Sequence, residues 1–362
     1  MSEDSLWTED LKRRTGLLRE SLECHRIDGL LLTSEANVRY LTGFSGSESA
    51  VFFSARRTVL VTDFRYVEEA RETCPLAEVV RHSRGLMDAL AREARRSRAK
   101  RLGFDPAQFT VIQARALRKA LRGASLVARP GLVEELRGVK SAREVAAIEE
   151  ALRVAERAYV MLWRRLRPGM TEMDVASELD YIMRRRLGAQ GSAFETIVAF
   201  DDHASQPHAK PGSRRIRNDG VILIDWGARK GGYNCDLTRT SSLGTMPKKA
   251  LKARELVIEA QRRAIAAIRP GAALRDVDGV ARRFLVSRGY GRAFGHGLGH
   301  GVGLEIHELP TLGRRWKGTL RSGMVVTVEP GVYLPGEFGV RIEDMVLVTG
   351  AGARVLSSQS IE

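Results

Sequence analysis

Residues 221–242 read VILIDWGARKGGYNCDLTRTSS, and residues 324–349 read MVVTVEPGVYLPGEFGVRIEDMVLVT. Each is a β-rich apolar run, a glycine-containing turn and a second β-rich run, the pattern of an antiparallel hairpin. In the first, Asp225 closes the opening strand and Asp236 lies in the return strand. A hairpin of that size sets two carboxylates side by side on one face. In the second, Glu329 and Glu343 take the corresponding places around a Pro/Gly turn. Asp225 follows VILI and Glu329 follows MVVTV, so both leave buried strands, where an unpaired charge costs several kcal/mol. Four acids converging on one interior repel one another, and a dication or two is the usual remedy.

The flanking sequence repeats as well. Arg167-Pro168-Gly169 stops one helix and Met170–Val175 opens another; Arg269-Pro270-Gly271 and Ala272–Val277 follow the same grammar. Pro168 and Asp174 recur 102 positions on as Pro270 and Asp276, and Ala193-Phe194 recurs 100 positions on as Ala293-Phe294. Matching offsets predict an internal duplication, each copy having two helices and an antiparallel hairpin unit, with helices at 172–187 and 274–288. Upstream, Ser141-Ala-Arg-Glu144 forms a capping box that opens a long amphipathic helix to about Arg167. Residues 1 to about 135 alternate strands (29–34, 49–54, 58–63) with helices (10–24, 64–74, 85–98), a small α/β domain. Pro130–Lys140 reads as a linker, so the expected domains are 1–136 and 137–362.

Composition narrows the function classes. The 362 residues are 43% hydrophobic and 28% charged, enough apolar material for two cores and too much for disorder. The net charge of +15 comes from ten lysines and 49 arginines, scattered through helical stretches beside glutamates. They do not alternate with aromatics as a single-strand nucleic-acid groove requires, so no nucleic-acid partner is expected. No run approaches the ~18 apolar residues of a membrane span. The first residues, MSEDSLWTEDLKRR, lack an apolar signal region. Three widely spaced cysteines make neither a disulfide framework nor a zinc knuckle. A cytoplasmic protein without membrane attachment is expected.

Five of the seven histidines fall between 203 and 307, three of them in Gly295–Glu308: His296, His300 and His307. That segment is too rich in glycine for a stable helix, and its glycines let backbone pass close to a site. One imidazole added to four carboxylates makes an N/O donor set suited to Mn²⁺, Co²⁺, Fe²⁺ or Zn²⁺.

These motifs resemble the metallopeptidase family that shares the pita-bread fold: aminopeptidase P, prolidase, methionine aminopeptidase and the metal-free creatinases. In the second half the resemblance rests on DWG (225–227), YNCDLTRT (233–240), HGLGHGVGLEIHE (296–308), VEPGVY (328–333) and GVRIED (339–344). In the first half it rests on NVRYLTGFSGSESA (37–50) and LVTDFRY (60–66), similar to the creatinase-type N-terminal domain. It implies an α/β N-terminal domain followed by an α+β pita-bread domain with a pseudo-two-fold repeat. It further implies two divalent ions, Mn²⁺ first among them, held by Asp225, Asp236, His300, Glu329 and Glu343, with Asp236 and Glu343 bridging. A non-catalytic binding module on this fold would have lost ligands, and none is missing.

The creatinase-type first domain and the 14-residue spacing of the two glutamates favour the proline-specific branch. The resemblance therefore implies a dinuclear metallopeptidase that hydrolyses Xaa-Pro bonds at the N-terminus of peptides with proline at the second position, working as a homodimer. Glu329 would be a proton acceptor as well as a ligand, and His307 would donate to the carbonyl oxygen. His296 and His208 would frame the proline ring, Tyr333 would line the substrate site, and Arg341 would orient nearby carboxylates. This chain departs from the family at Ala199–Gln206, which replaces the usual Ala-Ser-Gly before Pro207-His208. Prolidases that resemble it often carry a carboxylate-binding arginine where Thr311 stands, with Arg314 and Arg315 close by as substitutes. Its absence leans the expectation toward an aminopeptidase P-like enzyme, with an Xaa-Pro dipeptidase as the alternative.

Overall fold

In the computed structural model, which describes residues 3–358, the chain divides into two units, Met1–Arg137 and Gly138–Glu362. The first runs α1 (Glu3–Cys24), β1 (Gly29–Leu32), α2 (Glu35–Thr42), β2 (Ser49–Ser54), β3 (Thr58–Thr62), α3 (Val67–Thr73), β4 (Glu78–Arg81), α4 (Leu86–Arg96), β5 (Arg101–Phe104), α5 (Val111–Ala120), β6 (Ser125–Ala128) and α6 (Leu132–Arg137). Its six strands lie in the order β4-β3-β2-β1-β5-β6. β1, β2 and β3 are buried at every position, as befits short apolar strands that helices cover.

Two local readings change here. The run expected as a strand over 29–34 stops at Leu32, because Ser34 caps α2 by accepting the Asn37 N–H. The expected linker 130–140 contains α6, with Leu132, Val133 and Arg137 buried. Arg137 donates to Asn37 Oδ1 at 2.8 Å, and Asn37 Nδ2 donates to Glu134 Oε1 at 2.6 Å. Partners about a hundred positions away hold this helix, which a local pattern cannot register.

The second unit opens with α7 (Ala142–Trp163) at the Ser141/Glu144 capping box, and then α8 (Glu172–Tyr181) at a second box from Thr171 and Asp174. A π-helical turn (Ile182–Arg186), β7 (Gly191–Ser192), β8 (Ile197–Phe200) and a 3₁₀ turn (Asp201–Ser205) follow. Next come β9 (Ile222–Trp226), β10 (Ala228–Lys230), β11 (Tyr233–Asn234) and β12 (Leu237–Ser241). The second copy has α9 (Lys248–Ala266), α10 (Leu274–Ser287), β13 (Gly299–Gly301), β14 (Glu308–Leu312), β15 (Val325–Val328), β16 (Gly331–Leu334), β17 (Phe338–Arg341), β18 (Asp344–Thr349) and β19 (Gly352–Val355).

The hairpins are broken rather than continuous. β9 pairs with β12 and β15 with β18, both antiparallel, but β10–β11 and β16–β17 belong to separate small sheets. What reads as a turn through Ala228–Gly232 is therefore a second ribbon. Asp236, Glu329 and Glu343 each fall at a break between ribbons, and Asp225 is two positions before the fourth, at Gly227. An antiparallel bridge from Thr238 to Glu343 joins the two copies. Apolar faces of α9 and α10 pack with β15 and β18 in one buried cluster that includes Val257, Phe284, Val326 and Val346. In the first copy Trp226, fully buried, stacks on Tyr159 of α7 with ring centroids 4.5 Å apart.

Candidate metal centre and active site

Three of the four acids are buried: Asp225 is 8% exposed, Asp236 5% and Glu343 1%. Glu329 is half-buried beside them. Ligand atoms of Asp236, His300 and Glu343 lie within 4.8 Å of one another. His300 Nε2 is 3.5 Å from both Asp236 Oδ2 and Glu329 Oε1. All five expected ligands line one cavity and come from both copies of the repeat, and three of them are close enough together to share an ion.

Hydrogen bonding orients each donor. His300 Nδ1 lies 3.0 Å from the Gly301 carbonyl oxygen, so Nδ1 carries the proton and Nε2 turns a lone pair toward the carboxylates. The Thr327 hydroxyl donates to Glu329 Oε1 at 3.2 Å and accepts the His300 N–H at 3.0 Å. Thr238 donates to Glu343 Oε2 at 2.7 Å, and Arg341 Nη2 pairs with Asp225 Oδ2. Asp225 Oδ1, Asp236 Oδ1 and Glu343 Oε1 are left buried without a protein partner. A buried carboxylate oxygen without a donor is costly. Asp236 and Glu343, each with such an oxygen, lie close to the His300 lone pair and form with it a cradle that a divalent cation fits.

The electrostatics agree. Burial, with repulsion from Glu343, Asp225 and Glu329, raises the Asp236 carboxyl well above its ordinary range. Burial and the same cluster do this to Glu343. Burial and Asp225 push Glu329 up to about 8. Burial lowers His296 and His300 to about 4, so both imidazoles are neutral at pH 7. The protein alone does not balance this concentration of carboxylates.

The acids open onto a cavity of about 520 Å³, whose wall also includes Phe194, Ile197, His208, His296, Ile306, His307 and Arg341. His307 faces His300 edge-on with centroids 4.3 Å apart. Tyr333 is placed differently from the expectation. It is not on the cavity wall but lies behind it, 7% exposed. Arg341 Nη1 donates to its hydroxyl at 2.6 Å, and that hydroxyl meets His296 Nε2 at 3.1 Å. His296 Nδ1 donates to the Gly297 carbonyl at 2.7 Å, so Nε2 accepts and one neutral tautomer is selected. Arg314 and Arg315 are exposed and do not line the cavity, whereas Thr311 does.

The glycine-rich segment earns its composition at Gly299, where a Cβ would sit 2.0 Å from the Thr327 carbonyl oxygen. From α10, Asp278 accepts the Leu298 N–H and pairs with Arg282, which donates to the carbonyls of Phe294 and His296. Sequence reasoning passed over Thr238, Thr327, Asp278 and Arg282. For Thr238 a signal existed: it stands two positions after Asp236, where a continuous strand would set both side chains on one face.

Comparison with known proteins places the chain. The model of metallopeptidase family M24 matches residues 146–350, and that of the creatinase/prolidase N-terminal domain matches 14–139. An uncharacterized peptidase of Bacillus subtilis, YqhT, is 38% identical over 331 residues, 91% of this chain and 94% of the relative. An Xaa-Pro dipeptidase from Bacillus anthracis superposes with a TM-score of 0.93 at 37% identity, covering 96% of this chain and 98% of that one. An X-Pro aminopeptidase from Thermotoga maritima gives 0.85 at 34% identity, covering 92% and 96%. This chain belongs to metallopeptidase family M24, its second unit having the pita-bread fold and its first the creatinase/prolidase N-terminal fold.

Proposed function

We propose that this metallopeptidase hydrolyses Xaa-Pro bonds at the N-terminus of peptides, using two divalent ions held by Asp225, Asp236, His300, Glu329 and Glu343. One observation carries the reading: ligand atoms of Asp236, His300 and Glu343 lie within 4.8 Å of one another, and Asp225, Asp236 and Glu343 each keep a buried, unpartnered carboxylate oxygen on the wall of one cavity of about 520 Å³. Asp236 and Glu343, one from each copy, are the residues we assign as bridging. Four carboxylates with one imidazole favour Mn²⁺, with Co²⁺, Zn²⁺ and Fe²⁺ as alternatives. When bound, such ions polarise a carbonyl and bring a water molecule's pKa toward ~7.

The side chains then have separable tasks. Thr327 holds Glu329 Oε1, which leaves Oε2 to take the proton of the attacking water and return it to the leaving nitrogen. An Xaa-Pro bond is a tertiary amide, so its nitrogen must be protonated before proline departs. His307 donates to the carbonyl oxygen as negative charge develops. His296, kept neutral and in one tautomer, frames the proline ring with His208. Arg341, spanning Asp225, Tyr333 and the Pro207 carbonyl, sets the geometry of the wall against the acids. A homodimer working in the cytoplasm is part of the same reading.

Aminopeptidase P-like cleavage of longer peptides accords with the neutral Thr311. The dipeptidase alternative is favoured by one specific observation, an unpaired lysine on the cavity wall, developed below. Turnover of alanylproline and alanylprolylalanine by protein loaded with Mn²⁺ tests the function. Hydrolysis of neither, with any of the four ions, overturns it.

A further inference from the structure

Among the described residues the cavity wall carries one lysine and one arginine, Lys210 and Arg341, and beyond the four acids of the centre one further carboxylate, Glu195. Arg341 is 3% exposed and fully engaged: Nε with Thr238, Nη1 with Tyr333 and the Pro207 carbonyl, Nη2 with Asp225. Lys210 is exposed and has no hydrogen bond or ion pair among the described residues. It stands two positions after His208, and the two flank Ala209, which is 3% exposed.

The backbone that carries Lys210 is held on both sides. Glu172, fully buried at the start of α8, accepts the N–H groups of Phe200 at 2.9 Å and Gly212 at 3.1 Å, and His203 Nδ1 at 2.9 Å. Pro207 is tied through its carbonyl to Arg341, and Ala209 N–H donates to the Gln206 carbonyl. A buried carboxylate thus ties Phe200 and His203, in the segment where this chain departs from its family's pattern, to Gly212 just past Lys210. An anchored backbone with an unengaged cation at its tip is a preorganised recognition element.

We infer that Lys210 is a specificity-determining residue that binds the free carboxylate of an Xaa-Pro dipeptide. The inference rests on the Xaa-Pro reading above. In the Xaa-Pro reading the four acids are committed to the ions, Arg341 is committed to Thr238, Tyr333 and Asp225, and the neutral Thr311 offers no charge. Among the described residues of the wall, Lys210 is the lysine or arginine left to receive an anionic terminus. In a dipeptide that carboxylate is on the proline itself. In a tripeptide it moves outward by roughly 3.3–3.6 Å. A lysine is a point charge on a flexible stem, so it grades substrates by length instead of excluding the longer ones.

The test uses full-length, Mn²⁺-loaded protein with alanylproline and alanylprolinamide, which differ only in the terminal charge. Lys210→Met lowers the acid-to-amide ratio of kcat/KM roughly tenfold, mainly through KM, and Lys210→Arg keeps the ratio. An unchanged ratio in Lys210→Met, or equal losses on acid and amide, overturns the assignment. Calorimetric titration with free proline and prolinamide reads the same subsite without turnover. If neither dipeptide is hydrolysed but Lys210→Met abolishes the preference for proline over prolinamide, the Xaa-Pro activity falls and the carboxylate subsite stands. Equal binding of the two by the unsubstituted protein overturns the subsite.

Discussion

Thr238 and Glu343 lie 105 positions apart, yet the threonine hydroxyl donates to Glu343 Oε2 at 2.7 Å, and the two residues also form a backbone bridge. That contact is the seam between the two copies of the repeat. The same hydroxyl accepts from Arg341 Nε at 3.0 Å, so one side chain aligns the carboxylate and the guanidinium together. Thr238→Val keeps the shape and removes both bonds. Affinity for the divalent ions is expected to fall by roughly 10–100-fold, the range for partners that orient metal ligands. Equilibrium dialysis with metal analysis measures it, and unchanged affinity contradicts the role.

Metal content separates the ligands from the rest of the wall. Protein purified in Mn²⁺ should hold close to two ions per chain, and Asp236→Ala or Glu343→Ala should lower that number along with the rate. Full activity in a chelated, metal-free sample removes the proposal at its root.

His307 divides chemistry from ligation. His307→Ala should retain the ions and lose roughly 10²–10³ in kcat, the scale for one donor to a developing oxyanion. His300→Ala should lose metal. The reverse pattern exchanges the roles of these two histidines.

Stability of the metal-free protein should depend on pH with a definite sign. Glu329 is raised from 4.5 to about 8, and Asp236 and Glu343 are raised as well, so the folded state binds more protons than the unfolded one. The stability these acids confer is complete below their unfolded values and is lost as pH rises toward about 8. His296 and His300, lowered from 6.5 to about 4, act in the opposite sense, but only below about 6.5. Between pH 6.5 and 8 the chelated protein should therefore lose several degrees of unfolding midpoint, and saturating Mn²⁺ should abolish the trend. A midpoint that rises across this window without metal refutes the electrostatic account.

Behind the histidine segment, Lys140 Nζ pairs with Glu308 Oε2 at 3.3 Å, their side chains 1% and 3% exposed. Glu308 also accepts the Glu305 N–H at 3.0 Å, closing the turn that carries His307. Lys140→Met takes the paired cation from a buried carboxylate and should cost about 3–5 kcal/mol, whereas Lys140→Met with Glu308→Leu should recover most of it. Denaturant unfolding of the three proteins decides the matter, and additive losses exclude coupling.

Much of this was present in the chain as written. Acids ending the buried runs VILI and MVVTV, the 102-position repeat and the Ser141/Glu144 box are local patterns, because strand burial and helix capping act over a few residues. Other features depend on distant partners and stayed hidden. Folding of 132–137 into α6 depends on Asn37, the selection of a His296 tautomer on Tyr333, and the seating of His307 on Lys140, 168 positions before Glu308. Tyr333 sits behind the cavity wall and Lys210 on it, and neither residue's neighbours in sequence say so. Periodicity records which side of an element faces the core, but only tertiary packing decides which buried polar atom finds a partner and which is left for an ion.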